Sequence, residues 1–396
     1  EHASRATFGE AKLLIGLVTF LIGVVVRPFA HFTMRQYHDA AEQGLGHRFH
    51  RFARRSQLVL ALATGGLLAA GLLLFRPPAT QAAWLIPLAV AGMLVMQAMV
   101  GIERSILITR NRQAATSFLM VCQYWGLPLL TALALYRTSD TPTVFVAAQA
   151  AIWAMLAGIA YWIAGSVTRE AEEKVRSPEW REGRIREWII EARRFVVPML
   201  GIGFFHWIVS IGDRYILVGF VEMSEIGKYA AVYGLISAPF LALGTLMARL
   251  IQPFFYKAAA TRNDHRRRLM KLGMIGFATS IAVAAAVLVG LLGDVAARLL
   301  LAEEYREGVR PLMVWLAVGF GFLTVSGSFE TEAFASKKTV VMTAGYGMAA
   351  AVNIAANLVL IPRNGILGAA QATCLTFAVY LLILAWFDFR NKRPKP

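Results

Sequence analysis

Apolar residues occupy this chain in long blocks, without the one-sided or alternating patterns of a soluble fold. Eleven such blocks lie near 13–34, 57–75, 82–102, 115–136, 144–165, 194–220, 228–253, 272–292, 311–329, 339–361 and 366–387. Each approaches the roughly 20 residues a helix needs to cross a hydrocarbon core. The blocks are too long and too close together for core strands, and alternation at period two is absent, which argues against an outer-membrane barrel. The pattern predicts an all-α polytopic membrane protein.

Composition agrees. The 396 residues are 57% hydrophobic and only 16% charged, where a soluble protein carries about 25% charged residues. The net charge of +16 needs sorting by side before it is read as a nucleic-acid footprint. The loops 35–56, 103–113, 166–194, 256–271, 331–338 and 389–396 hold most of the 40 Lys and Arg, and the alternate loops hold few. Cytoplasmic loops carry such an excess, so the expected topology is N-terminal end outside, C-terminal end inside, in a bacterial inner membrane. The positive charge then reflects topology and contact with anionic membrane lipids, and no nucleic-acid partner is expected.

An odd number of spans puts the two ends on opposite sides. Since Glu1 opens a polar stub without signal-peptide architecture, the expectation is a missing first helix and a six-plus-six plan. The expected divisions are an N-terminal bundle over 1–165, a cytoplasmic connector with an interfacial amphipathic helix over 166–193, a C-terminal six-helix bundle over 194–390, and a basic tail over 391–396. Two halves of six spans suit an internal repeat, a common transporter plan. No loop is large enough for a catalytic or nucleotide-binding domain, and no Gly-rich loop ends in Lys-Ser or Lys-Thr. Cys122 and Cys374 fall inside spans and read as small buried hydrophobes. No metal, cofactor or disulfide is predicted.

The stretch Phe195–Ala260 is the most specific. Pro198 stands early in a span, Asp213-Arg214 ends it, Ile226-Gly227-Lys228-Tyr229 opens the next, and Gln252-Pro253-Phe254 lies near its inner end. Later, Ile361-Pro362-Arg363-Asn364-Gly365 leads into Gly368-Ala369-Ala370, and Phe8-Gly9 stands before the first block. These features resemble the polysaccharide flippases, the Wzx-type lipid-linked oligosaccharide transporters of the MOP superfamily. The resemblance implies two pseudo-symmetric bundles around a central cavity. It also implies flipping of undecaprenyl-pyrophosphate-linked repeat units by alternating access, for O-antigen, lipopolysaccharide or other surface polysaccharide. A polysaccharide polymerase and a chain-length regulator would be partners.

Charges inside spans are functional candidates, because each costs several kcal/mol unless it meets a polar cavity or a partner. Arg27, His31 and Arg35 stand at i, i+4 and i+8, on one helical face. Arg249, with Gln252, falls in the corresponding helix of the second half. These arginines suit a pyrophosphate through their planar forks. Asn353 and Asn357 present two amides on one face, for interhelical hydrogen bonds or for sugar hydroxyls. Asp213 and Arg214 read as a pair at the outer mouth or as a gate. Glu330, His206 and, less specifically, Glu332 are candidates for ion coupling, or are ordinary inner-surface and core groups. Glu103-Arg104 is expected at the inner interface. Tyr124, Trp125, Tyr161, Trp162 and Trp207 read as an aromatic belt, or as sugar-stacking rings.

Two other function classes compete. A cation-coupled multidrug exporter of the same superfamily would want acidic groups at mid-membrane, whereas here the mid-span charges are arginines. A polytopic membrane transferase would need clustered His and Asp, and His38, Asp39, His47 and His50 come closest. The topology itself can be checked with cysteines placed in a chain whose Cys122 and Cys374 are changed to Ala. Glu42→Cys should react with a membrane-impermeant maleimide only in opened cells, and Arg137→Cys in intact ones; the opposite pattern inverts the assignment.

Overall fold

The computed structural model describes residues 4–75, 84–172, 184–260, 264–336 and 339–390. In chain order the helices are α1 (Arg5–Leu21), α2 (Arg27–Glu42), α3 (Gly46–Phe75), α4 (Leu85–Thr109), α5 (Gln113–Arg137), α6 (Pro142–Glu172), α7 (Arg184–Trp207), α8 (Asp213–Leu217), α9 (Met223–Ala260), α10 (Asp264–Leu300), α11 (Val309–Ala335) and α12 (Thr339–Arg390). Five-residue π-helical turns, Ile22–Val26 and Ile208–Gly212, join α1 to α2 and α7 to α8. Among the described residues there is no strand.

Among the described residues, ten helical stretches are long and apolar enough to cross a membrane. The last of them, Val340–Arg390, accounts for two of the eleven predicted spans. Its backbone breaks at Gly365 (φ 56°, ψ −133°), a region open essentially to glycine alone. The chain reverses there. The Asn353 amide reaches the Thr376 hydroxyl at 3.2 Å, although 23 helical residues laid straight would span roughly 35 Å. Several helices outrun their apolar blocks, α3 and α10 among them. α1 starts at Arg5 because Ser4 caps it, its hydroxyl accepting from the Thr7 N–H at 3.3 Å. α7 starts at Arg184 and runs without a break into the membrane-spanning segment.

That continuity changes the reading of the connector. Within the helix expected at the interface, Trp188 is 3% exposed, packed against the rings of Phe49 at 5.0 Å and Phe52 at 5.3 Å. Ile185, Ile189 and Ile190 stay exposed. Residues 173–183 and the tail 391–396 lie outside the described residues.

The chain divides into two compact units, His2–Phe204 and Phe205–Pro396, with the division inside α7. In the first unit α4 is central, packed against α3, α6 and α2, and it buries Met93, Leu94, Ala98 and Ile102. In the second, α11 lies against α9, α10 and α12. Phe320 of α11 meets Tyr233, Phe240 and Phe377. Small residues permit close approach, as in membrane interfaces generally. A Cβ on Gly319 would stand 2.9 Å from the Cys374 Cα, and one on Gly321 2.8 Å from the Ala282 Cβ. Exposed apolar residues such as Leu288, Leu291 and Leu299 on α10 are what a lipid-facing surface presents.

The hairpin in α12 yields a stability prediction. A Cβ at Gly368 would fall 2.2 Å from the Leu360 carbonyl oxygen. Gly365→Ala adds backbone strain of about 1–3 kcal/mol. Either an alanine at position 368 or one at 365 should lower the melting temperature in detergent by several degrees, read by intrinsic fluorescence. Gly66→Ala, in open space, should not.

Candidate functional site

In the N-terminal unit the candidate site begins with a backbone irregularity. Pro28 has no N–H, and its ring would clash with the carbonyl four residues earlier, which belongs to Val24. The π-helical turn Ile22–Val26 widens the helix at that point. Helix α2 therefore begins at Arg27 and carries Arg27, His31 and Arg35 on one face, all three exposed. The opposite face buries Phe29, Phe32 and Tyr37. His31 lies within electrostatic range of Arg27, and the Arg35 guanidinium sits 5.8 Å from the Phe195 ring.

A third arginine joins them from α4. Arg104 lies within electrostatic range of Arg27 and Tyr124, and donates to the Gln123 amide oxygen at 3.1 Å. Among the described residues, none of Arg27, Arg35 and Arg104 has a carboxylate within ion-pair distance. Arg104 and Glu103 do not share the interface expected of them. Glu103 is 1% exposed and takes two hydrogen bonds from Arg54 of α3, one of them at 2.9 Å. It also meets His50 Nε2 at 3.0 Å. Successive side chains on α4 thus point one into the α3 contact and the other toward α2 and α5. His50, part of the enzyme-like histidine and aspartate cluster in the sequence, is occupied in this way. Asp39 is exposed, and the His38 side chain lies outside the described residues.

The C-terminal unit holds the acidic candidates Asp213 and Glu330. Asp213 is 1% exposed and Arg214 is 9% exposed, yet the two do not pair through their side chains. Asp213 accepts from the Tyr229 hydroxyl, from the Arg214 backbone N–H at 2.8 Å and, more loosely, from the Thr373 hydroxyl at 3.5 Å. The Arg214 guanidinium lies 4.7 Å from the Tyr233 ring, and its Nε has no hydrogen-bond partner among the described residues. The Tyr233 hydroxyl donates to the Ser210 carbonyl at 3.0 Å, inside the second π-helical turn, which loosens the backbone ladder just before Asp213.

Glu330 and Glu332, two residues apart on α11, separate completely. Glu332 pairs with Arg267 and Lys271 of α10, and Lys271 also holds Asp388 at the end of α12. Glu330 instead accepts from the Tyr380 hydroxyl at 2.6 Å and the Tyr346 hydroxyl at 3.3 Å. Tyr346 stacks on Tyr380 at 4.4 Å and meets the His206 ring at 5.6 Å. One tyrosine thus links the two candidate coupling residues, His206 and Glu330.

Asn353 and Asn357 are 1% and 0% exposed. Asn353 donates to Thr376, and Asn357 to the Asn353 carbonyl and side-chain oxygens at 2.8 and 3.1 Å. Both amide nitrogens donate inside the hairpin, while the Asn357 Oδ1 has no hydrogen-bond partner among the described residues. Arg249 and Gln252 lie on helical α9, and their side chains are outside the described residues. Tyr124, Trp125, Tyr161 and Trp162 are exposed; Trp207 packs on Tyr215 at 5.1 Å, and Tyr161 lies under the Arg54 guanidinium at 4.2 Å.

Sequence reasoning passed over Arg104, Gln123, Tyr229, Thr373, Tyr346 and Tyr380 as members of a site. A signal existed for some of them. Thr373, Thr376 and Tyr380 recur at helical spacing on the last span and each meets a buried polar group.

No family model matches the chain, and no curated protein does. Solved structures do. The lipid II flippase MurJ in an inward closed conformation superimposes with a TM-score of 0.67 at 13% identity, over 97% of this chain and 85% of that one. An inward-facing multidrug resistance MATE transporter of the MOP superfamily gives 0.67 at 14%, over 98% and 91%. A mutant of the Vibrio cholerae MATE transporter VcmN gives 0.65 at 13%, over 98% and 89%. At these identities the likeness establishes the fold: an all-helical, multi-pass membrane fold of the kind seen in MOP-superfamily transporters.

The Glu103 contact can be tested by removing one partner. Glu103→Ala leaves Arg54 and His50 without their anion, and loss of one member of a buried pair costs about 3–5 kcal/mol. The variant should show a large drop in melting temperature and in membrane expression, and Arg54→Ala in the same chain should recover part of the loss.

Proposed function

We propose that this protein is a transporter that flips an anionic, lipid-linked oligosaccharide across the bacterial inner membrane. The observation that carries the proposal is the cationic face of the N-terminal unit: Arg27, His31 and Arg35 on α2 with Arg104 from α4, and no carboxylate of the described chain paired to the arginines. Four helix-borne donors left without an internal anion suit an external one. Arginine forks suit a pyrophosphate in particular, through paired charge-assisted hydrogen bonds. The motif resemblance over Phe195–Ala260 points to a lipid-linked sugar, and one structural neighbour is itself a lipid II flippase.

In this reading the pyrophosphate is held by Arg27, Arg104 and Arg35 while the prenyl chain stays in lipid. Transport proceeds by alternating access. The carboxylates of buried Asp213 and half-buried Glu330, each held by a tyrosine hydroxyl, serve coupling or gating in the C-terminal unit. With no nucleotide-binding motif in the sequence, an ion gradient or downstream consumption of the sugar gives the direction.

A second reading, export of lipophilic cations, draws on those same two carboxylates and on neighbours titled multidrug transporters. One experiment separates the two. The protein is expressed in a strain lacking its own oligosaccharide flippase, and surface polysaccharide and ethidium efflux are measured together. The flippase reading expects restored polysaccharide, at least tenfold less of it in Arg27→Ala/Arg104→Ala at equal membrane abundance, partial recovery in the Lys variants, and no efflux. Efflux without restored polysaccharide, or full activity in the double variant, overturns it.

A further inference from the structure

Where the first turns of α3 lie against α7, the N-terminal unit carries a groove of about 1010 Å³. Its chemistry changes along its length. Arg48, Arg51 and Arg55 line it at i, i+3 and i+7 of α3, one helical face, and Arg193 joins them from α7. Further along the same helices the lining becomes apolar, with Val59, Leu60 and Ala63 on α3 and Val196 and Val197 on α7. The groove is built, not incidental. Trp188 is clamped against Phe49 and Phe52, and Arg184 donates to Gln43, tying the start of α7 to the end of α2.

Three of the arginines, Arg51, Arg55 and Arg193, are exposed, and among the described residues none of the three has an ion-pair or hydrogen-bond partner. Cations at the helix ends followed by an apolar wall along the spanning segments reproduce the polarity order of one phospholipid in its leaflet. A free phosphate would leave the apolar wall uncovered. A zwitterionic headgroup would leave a surplus of positive charge. None of the side chains Arg27, His31, Arg35 and Arg104 lines this groove, so it is separate from the cationic face assigned to transport.

We propose that this groove binds one anionic phospholipid of the surrounding leaflet, its phosphate between Arg51, Arg55 and Arg193 and an acyl chain along Val59, Ala63 and Val197. The bound lipid bridges α3 to α7. The inference does not depend on the transported substrate, since it concerns a lipid that stays in its leaflet.

The test uses the full chain in nanodiscs of equal parts palmitoyl-oleoyl phosphatidylglycerol and phosphatidylcholine, with retained lipid read by native mass spectrometry. One phosphatidylglycerol should be retained in preference to phosphatidylcholine. Arg51→Gln/Arg55→Gln/Arg193→Gln should weaken that retention roughly 100-fold, from about a fivefold contribution per arginine at the surface. The control Arg186→Gln/Arg194→Gln/Arg268→Gln makes the same change in net charge outside the groove and should retain the lipid. Ala63→Trp fills the apolar wall with every arginine in place and should also release it, which decides the matter if the first variant misfolds. Undiminished retention in the groove variants overturns the proposal. Equal loss in the control overturns it too, because the lipid would then answer to surface charge alone. Displacement of phosphatidylglycerol by undecaprenyl pyrophosphate at equal mole fraction overturns it in a third way, by assigning the groove to the substrate.

Discussion

A charge carried into hydrocarbon has to be matched by the protein, at a cost of about 3 kcal/mol or more if it is not, and this constraint organises both units. Glu103 is matched by Arg54 and His50, which joins α3 to α4. Asp213 is matched by Tyr229 and Thr373, which joins α8 to α9 and α12. Glu330 is matched by Tyr380 and Tyr346, which joins α11 to both arms of the α12 hairpin. Each of these carboxylates is therefore also a helix clamp. The arginines of α2 and α4 stand apart from this rule. They are cations for which the described chain supplies no anion, and that asymmetry is what turns a description of packing into an argument about an anionic substrate.

The backbone prepares these positions. Both π-helical turns fall immediately before a span-embedded charge, Arg27 in one unit and Asp213 in the other. In the first, Pro28 forces the irregularity. In the second, the Ser210 carbonyl receives the Tyr233 hydroxyl. Such single-turn bulges change which face of a helix a following residue occupies, and they recur at functional sites. Close backbone contact supports the first of them. A Cβ on Gly203 would lie 2.6 Å from the Gly23 carbonyl oxygen, so α7 approaches the turn as nearly as two backbones can.

The N-terminal unit thus bears two basic places of different character. Around Arg27 and Arg104 the cations come with polar neighbours, Gln123 and Tyr124, and suit a headgroup that passes. Around Arg51, Arg55 and Arg193 they stand at the mouth of an apolar wall and suit a lipid that stays. Asp213 and Glu330 of the C-terminal unit are held by hydroxyls, whereas Glu332 and Asp388 are held by the cations Arg267 and Lys271.

Much of this was legible in the sequence. The spans, their all-helical nature, the shared face of Arg27, His31 and Arg35, and the break at Gly365 follow from local rules: the length of an apolar block, a period of 3.6 residues, and a glycine where no other residue fits. The partners of each polar residue were not legible. Glu103 and Arg104 are adjacent in sequence but face different helices, so their fates depend on which helix lies on each side of α4. Asn353 and Asn357 read equally well as sugar contacts or as packing, and only the fold brings Thr376 of the opposite arm of the hairpin to the Asn353 amide. The helix that carries Trp188 read as interfacial, and only the fold packs that ring against Phe49 of α3. Hydrophobicity and helical period act along one chain segment and can be read from it. Whether a polar side chain is satisfied, clamped or left open to a ligand depends on atoms far away along the chain, and only the tertiary structure brings those into contact.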